Sequence, residues 1–374
     1  MCRTSRGYAK NMRSDIIDEF LFDPNTIQLN HASYGTPTRA TWDRISRLRR
    51  DLELDAASHL GSHLVPRLAE VGQTVQSFLG LTGGQLAFTL NTTEGHETVT
   101  RSLVASRRAF SAALRDDEYE SMQTTWLVEA KRRSNDISVT IHDEPLSGLN
   151  PTPDVSIVSV VASSTARLAD PAEAAASWAS VVDASHGPGH LDLAPWAFSR
   201  VPTAIVGSLH KWLPAVRPVG FLWLRDDWPT AIHPAIASLR DAASPPLELL
   251  SWRGTWDPTP HLAIPTAIAQ WIEWRDAGLV AAAESLAEAL SAAIQGIGLA
   301  EWNVPISRAP RLRAFVVQNV GVGELKGELV RAGINAWVGL HLDRTIIRLA
   351  FNVYNDPSDI ERVVDVLSKW GSRS

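Results

Sequence analysis

Cysteine is almost missing from this chain: Cys2 is the only one in 374 residues. A single thiol excludes an intrachain disulfide framework and a multi-cysteine zinc site, and it fits a reducing, cytoplasmic setting. Positive charge is not in excess either, since 35 Lys and Arg stand against 41 Asp and Glu, a net charge of −6. Proteins that grip nucleic acid carry a basic footprint to neutralise phosphates, so no nucleic-acid partner is expected. No apolar run reaches bilayer-spanning length, and no membrane partner is expected. The ligand spacing of a metal site is also lacking. His59 and His63 lie four apart, but Gly61 stands between them and no carboxylate completes a set, so no metal is expected. His142, His190, His233, His261 and His341 read as structural. There are no repeats or low-complexity segments. The first thirteen residues carry Arg3, Arg6, Lys10 and Arg13 with no apolar stretch after them, which reads as a solvated tail and not a signal peptide.

What is abundant is apolar material: 45% of the residues are hydrophobic and 14 are Trp. That is enough for a large core, and the length favours two domains. Trp126, Trp212, Trp252 and Trp256 flank the motifs below and read as packing residues. Thr38 to Asp55, with Trp42, Ile45, Leu48 and Leu52 on one stripe, predicts an amphipathic helix, and Leu64 to Leu79 a second. QLAFTL, ISVTIHD, DVSIVSVVAS, ASVVDAS, TAIVGSL and GFLWLRD predict strands. Their near-continuous apolar character points to a sheet covered on both faces, an α/β architecture. Beyond about residue 255 the pattern becomes a long Ala-rich helical stretch, Pro260 to Ile294 with a break near Gly278. Strand–helix–strand–strand–helix patterns follow. The expected organisation is a tail (1–13), a large α/β domain (33–255) and a smaller α+β domain built from 14–32 and 256–374.

Two predicted strand tips carry the chemistry. SVVDASHGPGH puts Asp183, Ser185 and His186 after one buried strand, and AIVGSLHKW puts Ser208, His210 and Lys211 after another. In parallel α/β sheets ligands bind beyond the carboxyl ends of the strands, so both clusters are expected to face one crevice. An amine that condenses with an aldehyde and a carboxylate that keeps a heteroaromatic nitrogen protonated suit a single task. A third segment, FTLNTTEGHETV, runs from a strand through Asn91, Thr92, Thr93 and Gly95 into a helix. It reads either as an ordinary cap or as an anion site, with Gly95 allowing close approach. Arg348, inside the apolar strand RLAFNVYN, needs an anionic partner because a buried unpaired charge is costly.

The order LNHASYG, NTTEG, VVDASH, GSLHKW, GTWDPTP and RLAFNVYN resembles the class V aminotransferase group of fold-type-I pyridoxal-phosphate (PLP) enzymes. The likeness is greatest to its isopenicillin-N-epimerase-like and carbon–sulfur-lyase-like members, and it runs from about residue 29 to 355. It implies a mainly parallel seven-stranded-type sheet between helices, with the smaller domain beside it. It further implies PLP bound as a Schiff base to Lys211, which then shuttles protons. Asp183 would pair with the ring nitrogen and His186 with the ring's phenolic oxygen, while Thr92, Thr93, Ser208 and His210 hold the phosphate. Arg348 would bind the substrate α-carboxylate, and Asn30 and His31 would line the substrate pocket. Thr255 would reach the phosphate of a neighbouring subunit, which makes a homodimer the expected state. The family places an aromatic or His over the cofactor ring; here DDEYESM puts Asp117 where that His would stand, and Tyr119 is the expected stacking residue.

The substrate is then an α-amino acid, converted through a quinonoid intermediate. Cysteine desulfurases of this group need a thiol on a mobile loop, and Cys2 in the tail does not supply one. The reading favoured is β-elimination from a cysteine S-conjugate, a carbon–sulfur lyase. Epimerisation or a decarboxylating or deaminating reaction of secondary metabolism comes second, transamination third, and a catalytically dead binding protein of the same fold last.

Overall fold

The computed structural model describes residues 16–371, apart from 24, 107, 134–135, 237–243 and 303–307. The tail with Cys2 lies outside these residues. The β-branched runs form the central strands. Seven strands, β1 (Gln85–Thr89), β2 (Phe110–Arg115), β3 (Ile137–His142), β4 (Val155–Ser159), β5 (Ala179–Asp183), β6 (Thr203–Ser208) and β7 (Gly220–Leu224), make one sheet in the order β1–β7–β6–β5–β4–β2–β3. Strand β7 runs antiparallel to both neighbours, and every other pair is parallel.

Strands β4 to β7 are buried at every position. Successive side chains point to opposite faces, so Val181 packs in one core cluster and Val182 in the other. The edge strand β3 is largely exposed instead. Strand β2, FSAALR, is the one the sequence reading missed. Its Ser and Ala content carries little β-branched signal, and it is a strand because β3 and β4 pair with both its edges.

Helices cover both faces. Helices α3 (Thr92–Ala105) and α4 (Glu120–Arg132) bring Val99, Leu103, Met122 and Trp126 onto one. On the other lie α1 (Arg39–Leu54), capped by the Thr38 hydroxyl, and α2 (Leu64–Phe78). The apolar side of α5 (Ile264–Asp276) joins that second core although it lies beyond residue 255. The chain then breaks at Gly278, whose φ of +77° is the left-handed region glycine tolerates.

Helix α6 (Leu279–Gly296) begins a separate core. There β8 (Ala300–Glu301), β9 (Leu312–Val316), β10 (Trp337–His341) and β11 (Arg344–Ala350) form an antiparallel sheet ordered β10–β11–β9–β8. Helix α7 (Val322–Arg331) and α8 (Pro357–Leu367), the latter opened by an Asp356–Asp359 capping box, pack in this core. The N-terminal strand Ile27–Gln28 pairs in parallel with Ile334–Asn335. Among the described residues no single helix is long and apolar enough to cross a membrane.

Candidate active site

A cavity of about 310 Å³ opens at the carboxyl ends of β4, β5 and β6, and at its opposite wall stands Arg348 of β11. Asp183, Ser185, His186, Ser208, His210, Lys211, Thr92, Thr93, Tyr119 and Arg348 all line it. The placement follows from the sheet. Asp183 is the last residue of β5 and pairs with Val206 of the adjacent parallel β6, whose last residue Ser208 stands two positions further on, so both tips open at the same end of the sheet.

The polar groups divide into two ends. At one, the Ser185 hydroxyl donates to Thr92 Oγ1 (2.8 Å), and Thr92 Oγ1 lies 2.8 Å from Ser208 Oγ. These hydroxyls gather at the N-terminus of the 14-residue α3, where Asn91 Oδ1 caps the Glu94 N–H. The other first-turn amides point out of the helix end, and the helix dipole adds positive potential there. Hydroxyls and first-turn amides make a donor set suited to a phosphate, and the one acidic residue of that turn, Glu94, is engaged by Arg253 and by the Leu90 N–H. Gly95 plays a different part from the one expected: a Cβ there would meet Val206 Cγ1 at 3.2 Å. Its smallness seats α3 on the sheet and leaves no room for an anion.

At the other end sit the groups that change charge. Burial is the main influence on Asp183, and it raises the carboxyl above its usual range, opposed by the hydrogen bond from the Ser185 N–H (2.6 Å) and by Lys211. Burial likewise lowers the Lys211 amine to about 8, with Arg348 adding to the effect and Asp183 opposing it. His186 is held well below the ordinary imidazole range by burial first, then by Lys211 and Arg348, and its Nε2 lies 3.4 Å from Lys211 Nζ. His210 is lowered to about 4, chiefly by burial, and its Nδ1 stands 2.9 Å from Val219 O.

Arg348 is buried apart from its face toward the cavity, and the groups it bonds to are neutral. Its guanidinium donates to Ser163 O, to Ser163 Oγ (2.9 Å) and to Ser33 Oγ (2.6 Å), and it lies 5.1 Å from the ring centroid of Trp337. Burial lowers it to about 10. Among the described residues no carboxylate forms an ion pair with it.

Three expectations are corrected or refined. Asn30 and His31 do not line the cavity; Ser33 and Tyr34 from the same turn do. The short helix His31–Tyr34 rolls His31 inward, where it is 3% exposed and bonded to Tyr354 and Asn352. Asn30 instead accepts from the Ser33 hydroxyl and so braces Arg348 at one remove. The turn is pinned by Gly35, at φ +65°, where any Cβ would lie 1.7 Å from His210 O. Asp117 is not over the cavity at all: it is buried in a two-pronged pair with Arg167 (2.8 and 2.9 Å) and accepts from Thr165. Tyr119, the next residue but one, caps α4 and faces the cavity about half exposed. Thr255 is exposed and outside this cavity.

Trp337, Ser163, Val161 and Met122 also line the site and carried no sequence signal. Trp337 reaches Arg348 because β10 and β11 form a hairpin that pairs the two residues in register. Its two-residue turn, Leu342–Asp343, takes positive φ at both positions without the usual Asn-Gly signature.

The donor set fits PLP: hydroxyls and a helix N-terminus for the phosphate, a buried acid raised by burial that a ring N–H would satisfy, and a low-pKa amine for the aldehyde. No family model matches the chain. Two isopenicillin N epimerases are similar to it: that of Streptomyces clavuligerus is 27% identical over 93% of this chain and 95% of its own length, and that of Amycolatopsis lactamdurans 27% identical over 67% and 70%. Among solved structures, a cysteine desulfurase from Thermococcus onnurineus NA1 superposes with a TM-score of 0.78 at 15% identity, covering 95% of this chain and 97% of its own. A cysteine desulfurase from Escherichia coli does so with a TM-score of 0.76, also at 15% identity, covering 96% and 98%. These structural likenesses establish the fold.

Proposed function

We propose that this chain, which belongs to the class V aminotransferase group of fold-type-I proteins, is a PLP-dependent enzyme that moves the α-proton of an α-amino acid. The observation that carries the reading is one cavity lined by the Lys211 amine, the Asp183 carboxyl and the three-hydroxyl cluster at the α3 N-terminus. When bound, PLP supplies an aldehyde and an electron-withdrawing ring.

The chain's residues do the rest. Lys211, lowered to about 8, offers a neutral amine in useful amount near neutral pH, able to form a C=N bond to an aldehyde with loss of water and later to accept a proton at the α-carbon. Asp183 would supply a carboxylate to the ring nitrogen, Thr92, Thr93, Ser208 and His210 would hold the phosphate, and Tyr119 would lie against the ring. Arg348, already oriented by Ser33, Ser163 and Trp337, receives the α-carboxylate without reorganising. Thr255, exposed on its own chain, fits a role at the partner's phosphate site in a homodimer.

Return of the proton to the other face, epimerisation, is supported by the near full-length likeness to isopenicillin N epimerases and takes precedence over the β-elimination favoured from sequence. Cys2 is the only thiol in the chain, and no described residue is a cysteine, so a persulfide relay has no carrier in this site. The test is incubation of the PLP-loaded protein with single-enantiomer amino acids in deuterium oxide. Deuterium at the α-carbon with inversion is the expected result. Pyruvate and thiol released from cysteine S-conjugates would assign the lyase. A wild-type protein that takes up no PLP, showing no visible absorption band removable by borohydride, sinks the enzyme reading.

A further inference from the structure

Behind the cavity lies a second layer in which polar side chains meet one indole. Trp212, 1% exposed, follows Lys211 directly, and its Nε1–H donates to Nδ1 of His186 (3.3 Å). An indole nitrogen is only ever a donor. Nδ1 of His186 is therefore an acceptor, and the neutral ring carries its proton on Nε2, the nitrogen 3.4 Å from Lys211 Nζ.

Trp212 is itself held. The His190 ring stacks on it with centroids 4.0 Å apart and planes at 27°, and the Arg311 guanidinium rests 4.7 Å from its ring centroid. These two are locked in turn. The Arg311 backbone N–H donates to His190 Nε2 (3.0 Å), so His190 carries its proton on Nδ1 and donates to His186 O (3.0 Å). The Arg311 side chain, completely buried, donates to Gly189 O and to Asn352 Oδ1. Asn352 in turn stands 2.6 Å from His31 Nε2, which accounts for the inward turn of His31.

We propose that Trp212 is a positioning residue that fixes the tautomer of His186, so that His186 presents an N–H donor to the amine side of the cavity. A neutral Lys211 amine has a lone pair to receive that donor, whereas an ammonium would face N–H against N–H. The layer thus favours the nucleophilic form of Lys211, and the same Nε2–H suits an anionic ring oxygen. This consequence for the cofactor rests on the function proposed above; the tautomer does not.

The first experiment uses cofactor-free wild-type protein. Long-range ¹H–¹⁵N correlation spectra, with the His186 signals identified by their loss in His186→Asn, read which ring nitrogen is protonated. The expected result is a neutral Nε2–H ring; a proton on Nδ1 overturns the proposal without any variant of Trp212. In Trp212→Phe, which keeps an aromatic ring for His190 to stack on while removing the donor and part of the ring volume, Nδ1–H is expected to appear. Asp183, His186, His210, Arg348, Tyr34 and Tyr119 are the titratable and charged groups that line the cavity with Lys211, the buried Glu118 acts on Asp183 from behind, and the substitution changes none of them. Capture of PLP at pH 7 by that variant is expected to be on the order of fivefold slower, the size of one neutral hydrogen bond, with its pH midpoint moved upward. An unchanged pH profile in a folded Trp212→Phe protein overturns the proposal. Wild-type protein that shows Nε2–H yet never captures PLP removes the cofactor reading and leaves the tautomer standing.

Discussion

Arg313 and Arg348 stand on neighbouring strands of the same small sheet, one position apart in register and so on opposite faces, and both are almost fully buried. Arg313 is answered by charge: Glu288 and Glu301 both pair with it, and Ser291 accepts from its Nε. Arg348 is answered only by serine oxygens, a carbonyl and an indole face. Burying a cation is costly unless it is paired, so the first residue is part of the fold's own electrostatics and the second is held ready for a ligand's charge. Asp117 with Arg167 repeats the first pattern in the loops beyond the large sheet.

That contrast sets the experiments, beginning with the largest effect. Lys211→Ala should lower α-proton exchange by roughly 10²–10⁴-fold, the usual worth of a positioned proton-transfer group, as followed by deuterium incorporation. Arg313→Ala leaves Glu301 with Arg308 alone and should destabilise by about 1–3 kcal/mol in urea unfolding, while affinity for α-amino acids is unchanged. Arg348→Ala should do the reverse: affinity for a substrate carboxylate falls roughly tenfold to a hundredfold by calorimetry, with little loss of stability. If Arg348→Ala costs as much stability as Arg313→Ala, the distinction between the two arginines is wrong.

Acid should expose the buried imidazoles. His31 is lowered to about 3 and His210 to about 4, mainly by burial, against an ordinary value of 6.5. Below pH 6.5 the unfolded chain takes up protons that the folded chain refuses, so stability falls with pH through that window until the folded values near 4 and 3 are reached. His31→Gln should flatten the fall in unfolding midpoint between pH 7 and 5. Lys211 acts in the opposite range: its folded value of about 8 lies below the ordinary 10.5, so stability rises with pH between the two, and Lys211→Met should remove that rise. The smallest effect belongs to the hydroxyl end. Thr92→Ala removes the hydroxyl shared by Ser185 and Ser208 and should weaken PLP binding only about fivefold, measured by absorbance titration.

Much of this was visible in the chain before any coordinates. The strand tips bearing Asp183 and Lys211, the helix opening at Thr92, the break at Gly278 and the amphipathic helices α1 and α2 are written in local patterns. Strand β2 was not, because its Ala and Ser residues become strand only when neighbours pair on both sides. The loop LNHASYG was recognised as belonging to the site, but which of its side chains faces the cavity depended on a single helical turn. Trp212 read as packing, since nothing about an indole beside a lysine says where its N–H points.

Short-range chemistry therefore dictated which residue types stand at the strand ends and helix start, since periodicity and capping act over a few positions. Long-range packing alone decided the rest. It selected which buried arginine is compensated and which is free, and set Trp337 beside Arg348 through a hairpin lacking its usual turn signature. It also brought His190, Trp212 and Arg311 together behind the lysine. Some of those relations join residues more than a hundred positions apart, as Arg311 with His190 and Arg348 with Ser163, and burial with complementarity of donors and acceptors in three dimensions fixes them.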